Sequence, residues 1–487
     1  MDVSLLLIAH APYLRRAGRQ HFGEEYLHRL IARGLIPLIN SLNELQAAGG
    51  KPRIALACSP ILLEQLIDPV VQKHFVLWIE DRLARRTAEL QELEQQNDAH
   101  RAYLARFYLE WDRRILGSFI DRHERNLGRS LRELVTDGVI EPLTGPASHA
   151  YLPLLAHEQS VQAQIEYGLM HTVRHLGRVE GIWLPGCGWR KGLEHTLTDV
   201  GLRYVIADRH SMDGTPAGRT VGLGPRLAAM LLAEDLAEHI WSPGLGYPGD
   251  PHYRDPQEPD GYQAIGLNEP TLYDPYHAIR RAHEHADHFL ALLRDAAGKG
   301  ANSHPALIPI DMQLLGPLWF EGPIWLQAVL AGCTAYPELR LTTPGAYVRA
   351  HRPRKQVTLK AGSWGSAGHG PWDDPETEAY WQAIRAAEAR MIQLATAHAA
   401  SDGDQERVLN QAARELLLAQ SSDWPELLGT SDDHPDRQRW TAYIIRFEQL
   451  AEMSGRAKLS PGDRFVLEQL EELDGPFPQL NFRIFAR

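Results

Sequence analysis

The chain has 487 residues, a formal net charge of −12, 44% hydrophobic residues and 23% charged residues. This size predicts about two to three domains, or one large barrel with an appendage. The negative charge argues against nucleic acid and against an anionic membrane as partners, and it suits a neutral ligand. The three cysteines are isolated along the sequence, which argues against a disulfide framework and favours a cytoplasmic location.

Short apolar runs rich in β-formers recur along the chain, and helical stretches separate most of them. They cover residues 3–9, 53–58, 138–143, 182–185, 203–207, 306–310 and 339–343. Strands that alternate with helices are typical of a parallel sheet. Seven such strands predict an α/β fold with an incomplete (β/α)7 TIM-like barrel over residues 1–355, whose chemistry lies at the carboxyl ends of the strands. The first run lacks a basic flank and a cleavage site, so we expect a strand there rather than a signal peptide.

Two insertions interrupt the barrel pattern, and a different pattern follows it. Residues from about 75 to 133 are charged and helix-periodic, which predicts paired helices. Residues from about 242 to 267 are rich in Gly, Pro, Asp and Tyr, which predicts a lid-like loop over a site. Residues 372–487 contain a succession of helical patterns, so we expect a C-terminal α-helical bundle that completes the ligand cleft.

The loop that follows the fourth predicted strand carries an unexpected residue. The run Ile182-Trp183-Leu184-Pro185 ends in Gly186-Cys187-Gly188-Trp189, a Gly-rich aromatic loop. Such a run is typical of a buried strand that delivers residues to an active-site mouth. Enzymes with this architecture often place an ionisable residue at such a strand end. This chain offers a glycine.

Several segments, in this order and spacing, carry a resemblance to a known family. They are His10-Ala11-Pro12-Tyr13-Leu14, Gly138-Val139-Ile140-Glu141-Pro142, Trp183-Leu184-Pro185-Gly186-Cys187, the stretch from Asp311 to Pro323, and Leu341-Thr342-Thr343-Pro344-Gly345. The chain thereby resembles glycoside hydrolase family 57, most closely its 1,4-α-glucan branching enzymes, over nearly its whole length. The resemblance implies an α-glucan or a maltooligosaccharide as ligand, no cofactor, no metal, and possible partners among the enzymes of glycogen metabolism.

The family's retaining chemistry requires two carboxyl groups about 5–5.5 Å apart, one as nucleophile and one as acid and base. By resemblance, Asp311 occupies the acid/base position. The family's nucleophile, a Glu before Cys, is replaced by Gly186, and loss of a covalent nucleophile costs on the order of 10⁴-fold in rate. The resemblance also shows departures at Gln20-His21, Gln313 and Pro317. We therefore expect a pseudoenzyme that lacks the standard retaining activity.

The resemblance and the strand ends together nominate a set of substrate-binding residues. The set comprises His10, Glu141, His149, Trp189, Asp208, His210, Tyr247, Trp319, Asp423 and Trp424.

Two other interpretations stay open at the level of sequence. The first is an active branching enzyme or glucanotransferase that uses a non-standard second carboxylate, either Glu141 or Asp208, opposite Asp311. The second is a metal-dependent deacetylase or hydrolase, for which His10, His149, Asp208 and His210 would supply a His/Asp metal shell. The spacing of these four residues is not diagnostic of a metal site.

Overall fold

The computed structural model describes residues 1–18, 23–212, 220–242, 246–258, 260–298, 305–365, 368–428 and 435–487. Its strands are β1 Asp2–Ala9, β2 Ile54–Cys58, β3 Ile140–Thr144, β4 Gly181–Ile182, β5 Tyr204–Ala207, β6 Thr220–Gly222, β7 Ala228–Leu231, β8 Gln263–Ala264, β9 Thr271–Leu272, β10 Ala306–Asp311 and β11 Arg340–Leu341.

The main sheet is mostly parallel and has the order β10-β1-β2-β3-β4-β5-β7-β6, with β11 paired to the start of β1. All neighbours in this order are parallel except β6 and β7. The prediction of an α/β fold with a mostly parallel sheet is confirmed. Because the strands are parallel, their carboxyl ends meet at one edge, which is where ligands bind in such sheets.

The two faces of the sheet bury different sets of side chains. Leu5 and Leu7 of β1 pack among the surrounding helices. Leu6 packs on the other face, in a cluster that contains Leu307 of β10 and Met230 of β7. The sheet therefore curves far enough to bring β7 and β10 onto one cluster. The backbone N–H of Ala233, just beyond β7, donates to the Leu307 carbonyl of β10 at 2.8 Å.

One strand of the parallel run was not predicted, and one predicted strand lies elsewhere. The sequence around Ala228–Leu231 is rich in Ala and Leu and leads directly into a helix, so nothing in it alternates. Tertiary pairing with β5 makes it a strand, and all four residues are buried. The predicted run 339–343 forms only the short β11, because its register matches just Asp2 and Val3 of β1.

Helices cover the sheet and continue alone after residue 377. They are α1 Glu24–Arg29, α2 Ile36–Ala47, α3 Pro60–Ile67, α4 Pro69–Gln95, α5 Ala99–Gly117, α6 Leu127–Thr136, α7 Glu158–Leu176, α8 Leu193–Asp199, α9 Glu234–Trp241, α10 Pro275–Gly298, α11 Gly322–Ala335, α12 Pro344–Ala350, α13 Glu378–Ala397, α14 Gly403–Ala419, α15 Asp423–Leu428, α16 Pro435–Ser454 and α17 Pro461–Leu473. Within the described ranges, no helix is both long enough and apolar enough to cross a membrane.

The expected paired helices form around α4 and α5, although α4 begins at Pro69 rather than near residue 75. The expected lid-like loop over residues 242–267 is described except for residues 243–245 and 259, and its described part packs against this helix pair. The Tyr108 hydroxyl of α5 donates to the Gly261 carbonyl at 2.7 Å, and the Arg86 guanidinium of α4 donates to the Tyr262 hydroxyl at 3.1 Å. Its tyrosines are buried rather than open to solvent.

Candidate active site

Asp311 and His10 stand next to each other at the carboxyl edge of the sheet. Asp311 is the last residue of β10, in register with Ile8, and His10 directly follows β1. Gln313 joins the two residues, because its backbone N–H donates to Asp311 Oδ1 at 2.8 Å and its amide donates to the His10 carbonyl at 3.0 Å. The Asp311 side chain is exposed to solvent. Desolvation by the surrounding protein raises its pKa, and the Gln313 N–H opposes that shift.

A helix from the C-terminal part of the chain completes this group. Asp423, the first residue of α15, contacts His10 Nε2 through Oδ2 at 3.0 Å, while His10 Nδ1 lies 2.8 Å from Ser59 Oγ. Burial alone would raise the pKa of Asp423, but His10 and the Ser421 hydroxyl hold it well below its usual range. Asp423 is therefore an ionised carboxylate, and it accepts a hydrogen bond from His10 Nε2.

His149 stacks on His10, with ring centroids 3.6 Å apart and planes at 13°. Its Nδ1 lies 2.9 Å from Ser422 Oγ. Its Nε2 is buried and has no hydrogen-bond partner among the described residues. Burial, followed by the neighbouring His10, holds the pKa of His149 well below its usual range, so the ring is neutral at physiological pH.

Glu426, one turn beyond Asp423 on α15, is a carboxyl group that the sequence analysis missed. Its side chain is exposed. Crowding by the surrounding protein and the charge of Asp423 raise its pKa to about 7, and the charge of Asp311 acts in the same direction. The spacing Asp423-Trp424-Pro425-Glu426 is typical of an acidic first helical turn, which explains why no role was assigned to Glu426.

The space beside Gly186 is filled by an indole. Gly186 has φ +55°, and an ideal Cβ built on it would lie 2.7 Å from Trp372 Cζ3 and closer still to Cη2. Real Cβ atoms essentially never approach a neighbour that closely. The Trp372 ring therefore occupies the space into which a side chain at residue 186 would project.

Trp372 is held from three sides. It stacks on Tyr151 with centroids 4.3 Å apart and planes at 9°, and its Nε1 donates to the Ser422 carbonyl at 3.2 Å. Its own carbonyl accepts from Trp381 Nε1 at 2.6 Å. Because Ser422 also contacts His149, the filled position adjoins the histidine pair. Sequence reasoning used Trp372 only as a domain boundary.

Cys187, beside Gly186, is buried. Burial raises its pKa well above the usual range, and the nearby Asp208 and Glu234 act in the same direction. The group is therefore a neutral thiol at physiological pH and not a thiolate nucleophile.

Asp208 and His210 lie in a cluster separate from His10 and His149. Asp208 is completely buried, and its Oδ2 accepts from the Gly365 N–H at 2.8 Å. The ligating atoms of His10 and His149 group with Asp423, whereas those of Asp208 and His210 group with Glu234. The single His/Asp metal shell considered from the sequence is therefore wrong, because its four residues divide between two places.

Glu141 lies at the opposite end of the sheet from the position expected for it. It pairs with Ala55 near the beginning of β2, accepts from the Tyr204 hydroxyl at 2.7 Å and accepts from the Gly345 N–H at 3.0 Å. Tyr204 begins β5, so Glu141 is at the amino edge. The expectation that Glu141 faces the barrel mouth is therefore wrong, because the mouth is at the carboxyl edge of the sheet and Glu141 lies at the amino edge.

The nominated aromatic residues are buried. Trp319 is 1% exposed and packs near Tyr247, with centroids 6.5 Å apart. Trp424 is also 1% exposed, and its Nε1 donates to the Leu418 carbonyl at 2.7 Å. Trp189 is 3% exposed. Large rings gain most by leaving water, so these four residues serve as packing elements in this conformation rather than as open sugar platforms.

Comparison with known proteins agrees with this geometry. The sequence profile described as Glycosyl hydrolase family 57 matches residues 4–232, and the profile described as 1,4-alpha-glucan branching enzyme, C-terminal, matches residues 383–485. A 1,4-alpha-glucan branching enzyme of Thermococcus kodakarensis is 31% identical over 98% of this chain and 77% of that protein. The chain belongs to glycoside hydrolase family 57. The predicted family is thus confirmed.

Solved structures extend the likeness of this family 57 chain to its whole length. The structure of a GH57-type branching enzyme from Pyrococcus horikoshii superimposes with a TM-score of 0.90 at 29% identity, covering 100% of this chain and 96% of that one. The α-amylase AmyC from Thermotoga maritima gives a TM-score of 0.88 at 26% identity, covering 100% of this chain and 99% of the amylase. The departures at Gln20 and His21 lie outside the described residues.

Proposed function

We propose that this chain is a branching-enzyme-like protein of α-glucan (glycogen) metabolism that binds glucan but lacks standard retaining transfer. One observation carries the proposal: Trp372 fills the space beside Gly186 where the family's nucleophile would project. Glycine cannot form a glycosyl ester, and the packed indole occupies the space that a side chain at residue 186 would need.

The alternative carboxylates named from the sequence do not replace the nucleophile in this proposal. Asp208 is completely buried. Glu141 lies at the amino edge of the sheet, bonded to Tyr204. Asp423 is ionised, but its Oδ2 is already in contact with His10 Nε2 at 3.0 Å. A retaining mechanism requires a free carboxylate opposite the acid/base group, and these three do not offer one.

Glucan binding is supported by what remains at the carboxyl edge. Asp311 and Glu426 are exposed, and His10 and His149 are partly exposed beside them. Hydroxyl groups of a sugar exchange hydrogen bonds with such carboxyl and imidazole groups. The relatives named above act on α-glucans, as their names state. An α-glucan or a maltooligosaccharide is accordingly the ligand we propose.

The proposal also includes the architecture that positions this site. We assign residues 1–355 to an incomplete (β/α)7 barrel with a helical insertion at about 75–133, and residues 372–487 to a C-terminal helical bundle. The hydrogen bond between Ala233 and Leu307 and the contact of Asp423 with His10 support this division. The cytoplasmic location and the association with enzymes of glycogen metabolism are further parts of the proposal.

The test measures branching and binding separately on the full chain. Purified protein is incubated with amylose, and new branch points and reducing ends are counted beside an active branching enzyme. Binding is measured by calorimetry with maltoheptaose. We expect binding without branching. Branching at ordinary enzyme rates would refute the loss of catalysis, and absence of affinity for amylose, glycogen and maltoheptaose would refute the glucan ligand.

A second candidate function has one observation in its favour. Glu426 has a pKa of about 7, raised in part by Asp423 and Asp311, so a titratable carboxyl group lies within electrostatic reach of the acid/base position. Glu426 could then act as the second carboxylate in a slow glucan transfer or hydrolysis. Slow turnover that disappears in Glu426→Gln but persists in the exposed control Glu452→Gln would favour this candidate.

A further inference from the structure

A second cluster of ionisable side chains lies at the carboxyl ends of β5 and β7. Asp208 follows β5 and is 0% exposed, and Glu234 begins α9 after β7 and is 6% exposed. The His210 side chain, by contrast, is 44% exposed. One ligating atom from each of the three lies within 4.8 Å of the others.

The described residues contain the same hydrogen-bonded Asp-x-His turn at 208–210 and at 250–252, and comparing the two shows what differs in this cluster. In Asp208-Arg209-His210, Asp208 Oδ1 accepts from the His210 N–H at 2.5 Å and lies 2.9 Å from His210 Nδ1. In Asp250-Pro251-His252, Asp250 Oδ1 makes the same two contacts with His252, both at 2.9 Å. The turn itself therefore does not distinguish the two places.

The surroundings of the two motifs have opposite charge. Arg281 Nη2 contacts Asp250 Oδ2 at 2.6 Å and neutralises it. Asp208 instead faces Glu234, a second buried carboxyl group. Arg209 contacts Glu234 Oε2 at 2.9 Å, but it also contacts Asp235 at 2.9 Å, so one cation is shared between two acidic groups.

Arg209 reaches only one of the two Glu234 carboxylate oxygens. The other oxygen, Oε1, is buried and receives no hydrogen bond from a donor among the described residues. A buried carboxyl group next to a carboxylate needs either a shared proton or a cation.

We propose that Asp208, His210 and Glu234 bind a divalent transition-metal ion. Two carboxylates and one imidazole suit Zn²⁺ or Mn²⁺, which take oxygen and imidazole ligands at about 2.0–2.2 Å. The ion would supply positive charge between Asp208 and the Glu234 oxygen that has no described partner. The exposed ring of His210 leaves the cluster accessible from solvent.

This ion has a structural consequence for the Gly186 loop. Asp208 Oδ2 accepts from the Gly365 N–H at 2.8 Å, and the preceding Trp364 N–H donates to the Gly186 carbonyl at 2.7 Å. By fixing Asp208, the metal fixes residues 364 and 365 and, through them, the backbone of Gly186.

Calorimetry tests the proposal on the full chain after treatment with EDTA and dialysis. We expect one saturable site for Zn²⁺ or Mn²⁺ added alone. His210→Ala and Glu234→Gln are expected to weaken the affinity at least tenfold.

His252→Ala is the matched control, because it removes an imidazole from the same turn without a second carboxyl group, and its affinity should equal that of the natural chain. Circular dichroism checks that each variant folds. His210 is exposed, so its variant carries the test even if Glu234→Gln does not fold. Lack of saturable binding, or equal weakening by His210→Ala and His252→Ala, would overturn the proposal and leave a shared proton between Asp208 and Glu234.

Discussion

Introducing a carboxylate with Gly186→Glu, at the position proposed for the family's nucleophile, should destabilise the protein. The new Cβ would overlap Trp372, with Cζ3 at 2.7 Å, and the backbone at φ +55° suits glycine. A left-handed conformation costs a non-glycine residue about 1–2 kcal/mol. Overpacking a filled site costs a further 1–3 kcal/mol or so. We therefore expect the free energy of unfolding in urea to fall by about 2–5 kcal/mol.

Two further variants separate the causes. Gly138→Glu introduces the same side chain at φ +73°, where no described atom lies within 4 Å of the added Cβ, so only the backbone cost of about 1–2 kcal/mol should appear. Trp372→Leu removes the six-membered ring that overlaps residue 186. The double variant Gly186→Glu/Trp372→Leu should then be more stable than the sum of the single effects by about 1–3 kcal/mol.

The outcome at Gly186 tests the packing directly. If Gly186→Glu unfolds at the same urea concentration as the natural chain, or if its effect adds to that of Trp372→Leu, the indole does not fill the nucleophile position. Branching activity is measured on the same variants with amylose. Activity should be absent in Gly186→Glu alone, and any recovery should require the smaller residue at position 372.

The remaining predictions concern charge. Asp423→Asn removes the carboxylate that accepts from His10 Nε2 at 3.0 Å, a hydrogen bond to a charged group worth about 1.5–3 kcal/mol, so the imidazole loses the partner that orients it and the affinity for maltoheptaose should fall about tenfold in calorimetry. Glu388 is 0% exposed, and burial raises its pKa from 4.5 to about 7. Its favourable contribution is therefore complete below pH 4.5 and is lost as the pH rises through 7, which amounts to about 3 kcal/mol in the free energy of unfolding. Urea unfolding from pH 4 to 8 should show this loss in the natural chain and in the exposed control Glu452→Gln, but not in Glu388→Gln.

The sequence predicts the sheet well where the strands differ in composition from the helices. Runs such as Ile54–Cys58 and Tyr204–Ala207 are short, apolar and bounded by turns, and they appear as strands within one or two residues of the predicted bounds. Ala228–Leu231 has the composition of a helix start, and only its pairing with β5 makes it a strand. The residue pattern of segment 228–231 alone carries no information about its pairing with β5.

The candidate site was predictable in part for the same reason. His10 and Asp311 stand at or just past predicted strand ends, which was enough to nominate them, whereas His149 was nominated only through the resemblance to the family. Glu141 was misplaced because a polar residue in a strand can lie at either end, and the register with Ala55 decides which. The role of Trp372 depends on its contact with Gly186, a residue more than 180 positions earlier in the sequence. No pattern within the segment around Trp372 predicts that contact.

The central claim is that no group in this chain traps a sugar at its anomeric carbon. It is tested most directly by intact-mass spectrometry after incubation with a fluorinated maltosyl donor of the kind that leaves retaining enzymes as long-lived covalent adducts, with an active branching enzyme treated in parallel. We predict an unchanged mass for this protein and an added glycosyl mass for the active enzyme. An adduct on this chain, mapped by peptide sequencing to Glu426, Asp423 or any other carboxylate, would contradict the account.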